Sequence, residues 1–172
     1  MNDRVTRWLH RIGFRPRNKT IDLRTGVDPN VVTLALDSQV RIITGKVAPE
    51  VMAKVLKIRQ TIVGILPRSG SFAPGSPELF LVERTATDYL PTTLEAFLKL
   101  PRVHATLQPV KDGKTAKQIL LDQLTLLENK MNEVAEDLQR HDADRLLANG
   151  RFLEERFGRS SFSLKPPAPS GD

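Results

Sequence analysis

A chain of 172 residues, 40% of them hydrophobic and 27% charged, is long enough for one packed core and too apolar for full disorder. It has no cysteine, which excludes disulfides and thiolate metal sites, and no apolar run near the ~20 residues that span a bilayer. The net charge of +6 gathers at one end: within residues 1–25, Arg4, Arg7, Arg11, Arg15, Arg17, Lys19 and Arg24 stand against Asp3 and Asp22, a balance of +5 that leaves about +1 for the rest.

In the leader, Val5, Trp8, Leu9 and Ile12 fall at i, i+3, i+4 and i+7, one face of a short helix, with Arg4, Arg7 and Arg11 around it. Arg7, His10 and Arg11 break up any apolar segment a secretory signal would need, so a cytoplasmic protein is expected. Gly13 and Pro16 end the pattern, and residues 13–27 read as a linker. The division expected is an arm and linker over 1–27, a helical domain over 28–158, and a disordered tail over 159–172.

Asp28-Pro29 predicts a capped helix start. That helix should run to about Thr44, stop at Gly45, and use Val31, Leu34, Val40, Ile42 and Ile43 as its apolar surface. Pro49 starts a second helix ending before Pro67. Its Val51, Val55, Ile58, Ile62 and Ile65 step by four and three, and Met52, Leu56, Val63 and Leu66 widen the face enough to predict burial on two sides. Ser76-Pro77-Glu78 is the next start, carrying Leu79, Phe80, Val82 and Tyr89 to Pro91, which either kinks the helix or opens a new segment ending at Pro101. Residues 101–114 read as a connector.

Thr115 and Gln118 form a capping-box pair. After them Leu120, Leu124, Leu127, Met131, Val134 and Leu138 make a heptad seam. It is either a wall of the chain's own core or a homodimer interface. Asp142 is expected to cap a last helix with Leu146, Leu147, Phe152, Leu153 and Phe157 facing inward and Gly158 ending it. No stretch alternates with period two. The fold predicted is all-α, an antiparallel bundle of four to five helices with a basic N-terminal arm.

Chemistry was sought along the same chain. "DGKT" at 112–115 lacks the glycine that a phosphate loop needs at position 108, which is Gln, and reads as a turn plus cap. His10, His104 and His141 are scattered, and no metal-ligand motif includes them. Asp137 and His141 share a helix face near Asp142 and Asp144, but the Glu-x-x-His pairs of a di-iron bundle are missing. Ser69, Ser71, Ser160 and Ser161 lack a nucleophile elbow. Glu83, Asp88 and Glu95 lie on one segment with the potential to converge. Seven Phe, one Trp and one Tyr are too few for a base-stacking platform. No catalytic residue, metal or cofactor is assigned. The expected partner is an anionic membrane surface or an acidic protein, met by Arg4, Arg7, Trp8, Arg11, Arg15, Arg17 and Lys19. Nucleic acid is the alternative, since arginines neutralise phosphates without a recognition helix; a metal-dependent hydrolase in the bundle ranks last, because no acid–base or nucleophile constellation can be assembled.

"TATDYLPTTLEAFLKLP", "GKTAKQILLDQLTLLENKMNEV" and "DADRLLANGRFLEERFG", within residues 76–158, resemble uncharacterised bacterial helical proteins of the XpaC/TelA group associated with toxic-anion resistance. The match is one of leucines, prolines and a Gly150-Arg151-Phe152 turn. It implies a helical domain in a stress-response system, and carries no catalytic role to any residue.

Overall fold

The computed structural model describes residues 27–101, 109–111 and 113–157. Helix α1 spans Pro29–Ile43 and α2 spans Pro49–Ile65, with a 3-10 turn over Leu66–Ser71. Helix α3 (Pro77–Arg84) passes through a π-helical turn, Thr85–Tyr89, into α4 (Leu90–Leu98). Two short strands follow, β1 (Pro109–Lys111) and β2 (Lys114–Thr115), and then one long helix, α5 (Ala116–Phe157).

The helix starts follow local chemistry. The Asp28 carboxylate accepts from the Asn30 N–H at 2.8 Å, and the Ser76 hydroxyl accepts from the Leu79 N–H; a proline occupies the first turn of both helices, where its missing donor costs nothing. The capping box forms reciprocally: Thr115 N–H donates to the Gln118 amide at 2.8 Å, and Gln118 N–H donates to the Thr115 hydroxyl at 3.3 Å. Gly45 ends α1 at φ +72°, a conformation that strains any residue with a Cβ.

One core cluster joins these elements. Val32, Leu36 and Ile43 enter it from α1, the predicted Val51, Val55, Ile58, Ile62 and Ile65 from α2, and Leu90 and Leu94 from α4. The whole heptad seam of α5, Leu120, Leu124, Leu127, Met131, Val134 and Leu138, is buried in it, Val134 being the most exposed at 4%. The seam is therefore a wall of the chain's own core, and those side chains present no face to a second copy.

Several expectations are corrected. In α1 the apolar residues Val31, Leu34 and Ile42 are exposed; burial falls on the other stripe, because α2 and the π turn pack there. Of the residues expected to widen the α2 face, Leu66 is buried and Met52 and Val63 pack half-buried against the core, while Leu56 is exposed. Pro91 stands in the first turn of a new α-helical segment, as one of its two expected readings had it. It has no N–H for an i→i−4 bond, and the turn before it widens so that Leu90 N–H reaches back five residues to the Thr85 carbonyl. The connector contains an antiparallel β1–β2 pair, turned at Gly113 with φ +74°.

Helix direction also departs from the antiparallel expectation. Asp37 pairs with Arg59 at 2.7 Å, as antiparallel α1 and α2 require. Between α2 and α5, however, contacts advance together: Glu50 with Lys117, Lys54 with Glu128, Thr61 with Asn132, and Arg68 just past α2 with Asp142. These two helices run parallel, which the long excursion between them permits. No described helix is long and apolar enough to cross a membrane.

Candidate interaction surface

Asp142 was expected to start a new helix, and it does the reverse. Its carboxylate accepts from the Arg68 guanidinium, and from the Ser71 hydroxyl at 2.8 Å. Its side chain is thus drawn to the 3-10 turn, away from the backbone donors a cap would satisfy. Arg145 donates to Ser71 at 3.3 Å, and His141 meets the Phe72 ring edge-on at 5.7 Å. The bonds from Arg68, then Ser71, hold the Asp142 pKa below the usual carboxylate value. Strong helix formers on both sides carry α5 through this latch without a break, and Gly150-Arg151-Phe152 is helix, not a turn.

The consequence is an overhang. Helix α5 has 42 residues, roughly 63 Å at the helical rise, against roughly 25 Å for the 17 residues of α2. Beyond Leu138 every residue to Phe157 is exposed except the half-buried Asp142 and Gly150. Leu146 is 72% exposed, and Leu147, Phe152, Leu153 and Phe157 are exposed with it, so the inward-facing last helix is corrected. Leu146, Gly150, Leu153 and Phe157 step by four, three and four into one stripe. That stripe lies roughly a quarter turn around the axis from the buried seam, so it points to a side where the core cluster offers no partner. A Cβ built on Gly150 would meet nothing within 4 Å. The glycine is a notch in the stripe, at a position where the fold itself would accept alanine.

The buried polar chemistry lies elsewhere, on the π turn. Asp88 is 7% exposed, and accepts from Arg84 at 3.2 Å and from the Thr92 hydroxyl at 3.3 Å. Arg84 also covers the Phe80 ring at 5.5 Å. Burial raises the pKa of Glu83 and of Tyr89. The Thr85 hydroxyl oxygen is fully buried without a hydrogen-bond partner. This cluster braces the widened turn on both sides of Asp88. Glu83, Asp88 and Glu95 do not form one site, since Asp88 turns to Arg84 and Thr92 and Glu95 to Lys99.

Of the residues singled out in sequence, Arg4, Arg7, Trp8, Arg11, Arg15, Arg17 and Lys19 lie outside the described residues, as do His10, His104, Ser160, Ser161 and the tail. Asp137 pairs with Arg140 rather than with His141, and among the described residues no group of three or more His, Asp or Glu could hold a metal. Sequence reasoning missed the exposure of the Leu146–Phe157 stripe. The available signal was its phase: after Leu138 the heptad track falls on His141 and Arg145, and the apolar residues shift to another face. No family model matches the chain, and neither any curated protein nor any solved structure is significantly similar to it.

Proposed function

We propose that this is a non-enzymatic helical interaction protein whose basic N-terminal arm docks on an anionic membrane surface. The observation that carries the reading is charge segregation, +5 of the net +6 lying in residues 1–25. The organisation of the body supports it. Lys54, Lys57, Arg59, Arg68, Arg84, Lys99, Lys114, Lys117, Lys130 and Arg140 each pair with a carboxylate. Ten cations of the helical body are thereby paired within it, whereas the leader has seven against two acids. An apolar stripe with Trp8 flanked by arginines suits an interfacial helix, and each cation near an anionic leaflet contributes ~1 kcal/mol. The resemblance of residues 76–158 adds a stress or toxic-anion-resistance setting to this proposal.

Vesicle sedimentation tests it. The full chain should partition onto vesicles containing phosphatidylserine and not onto purely zwitterionic ones. Replacing Arg4, Arg7 and Arg11 together by glutamine should weaken that partitioning roughly 100-fold, the equivalent of ~3 kcal/mol. Equal sedimentation of the two proteins would overturn the proposal.

A further inference from the structure

The apolar stripe exposed on the α5 overhang and the apolar spacing of Val5, Trp8, Leu9 and Ile12 belong to one chain. We infer that the arm, residues 1–12, docks in cis on the stripe Leu146–Gly150–Leu153–Phe157 and shelters Trp8 there.

Three observations identify this occupant. The first is where the arm is rooted. The Asp37–Arg59 pair sets antiparallel α1 against α2, which brings the start of α1 level with the turn after α2. Arg68 in that turn binds Asp142, the point at which the overhang begins. The arm therefore leaves the body at the base of the overhang. The linker 13–27 can extend roughly 50 Å, more than the roughly 20 Å from Asp142 to the end of α5.

The second is charge. Read as a helix, the arm has Arg4 and Arg11 on one flank of its stripe, and Asn2 and Thr6 on the other. The α5 stripe has Glu154 on one flank, with Arg151, Asp144 and Glu155 farther round, and Arg145 and Arg156 on the other. A parallel pairing sets Arg4 and Arg11 of the arm against Glu154, and Arg145 and Arg156 against the uncharged Asn2 and Thr6.

The third is shape. A glycine inside a helix costs ~1 kcal/mol relative to alanine, and nothing within the described chain approaches Gly150. A notch between Leu146 and Leu153 admits a flat, bulky ring, and the arm brings the chain's one tryptophan. Docking covers Leu146, Leu153 and Phe157, which are exposed in the described chain. The inference does not depend on the membrane reading, because its test contains no lipid.

Trp8 is its own reporter. In the full chain without lipid, its emission should be blue-shifted and protected from iodide and acrylamide quenching, independently of protein concentration. Leu146→Gln combined with Leu153→Gln should shift the emission to the red and raise the quenching constant severalfold, while Ala148→Gln on the opposite side of α5 leaves both unchanged. Far-UV circular dichroism and the unfolding midpoint should not change for either variant, because all three positions lie off the core. A freely quenched Trp8 in the parent chain, or a protected Trp8 indifferent to the double substitution, would overturn the inference. Protection that disappears on dilution would make the occupant a second copy and equally overturn it.

Discussion

At the scale of single residues, two polar groups make opposite predictions. Thr85 keeps a hydroxyl in the core with no partner, and an unsatisfied buried polar atom costs ~1–3 kcal/mol. Thr85→Val keeps the branched shape and removes that oxygen. It should raise the unfolding free energy by about 1 kcal/mol in urea titration, and a loss of stability would show that the hydroxyl is used. Asp142 is the reverse case, a carboxylate whose bonds from Arg68 and Ser71 tie α5 to the 3-10 turn. Folding lowers its pKa. Its contribution is therefore complete above the unfolded-state value of about 3.9 and is lost as pH falls through the lower folded value. Asp142→Asn should lower Tm at neutral pH, and the gap between parent and variant should close in strong acid. A gap of constant size from pH 7 to pH 2 would exclude this account.

At the scale of elements, α5 is one helix with two environments. Its first part is a core wall and its last part stands clear of the body, so identical chemistry should have unequal consequences along it. Leu124→Ala opens a cavity beside α2 and should cost 2–5 kcal/mol. Leu147→Ala, at an exposed position off the Leu146–Phe157 stripe, should change stability by less than about 0.5 kcal/mol. Urea titration of the two variants checks the contrast, and similar losses would mean that the overhang is packed. The π turn has an equally local origin. Proline would disrupt an ordinary helix interior at a cost of about 3 kcal/mol, and the wider ring closed by Leu90 N–H on Thr85 carries the chain past Pro91.

At the scale of the whole molecule, the body and the arm divide the charge between them. Some ion pairs on the body join elements distant in sequence, Lys54 with Glu128 at 2.6 Å and Lys117 with Glu50 at 3.3 Å. An exposed pair of this kind contributes little to stability, while Lys54–Glu128 is half-buried; the leader is left as the most cationic part of the protein. Cis docking on α5 and docking on an anionic surface compete for the same apolar face of the arm. The Leu146→Gln/Leu153→Gln protein should accordingly sediment with phosphatidylserine vesicles at lower lipid concentration than the parent chain. Unchanged partitioning, with Trp8 released, would show that the two contacts do not compete.

Helix positions were legible because their determinants are local. Asp28-Pro29, Ser76-Pro77 and the Thr115–Gln118 pair satisfy backbone donors within a few residues, and the α2 and α5 seams keep a spacing that only one helix face can satisfy. What local chemistry left open, neighbours decided. Helix α1 has two apolar stripes, and the packing of α2 and the π turn buries Val32 and Leu36 rather than Val31 and Leu34. Asp142 has the chemistry of a cap and becomes a latch, because Arg68, 74 residues away in sequence, reaches it first. The same rule governs the overhang. A run of apolar residues at helical spacing specifies an apolar face, and whether that face is core or free surface depends on how far the elements beside it extend.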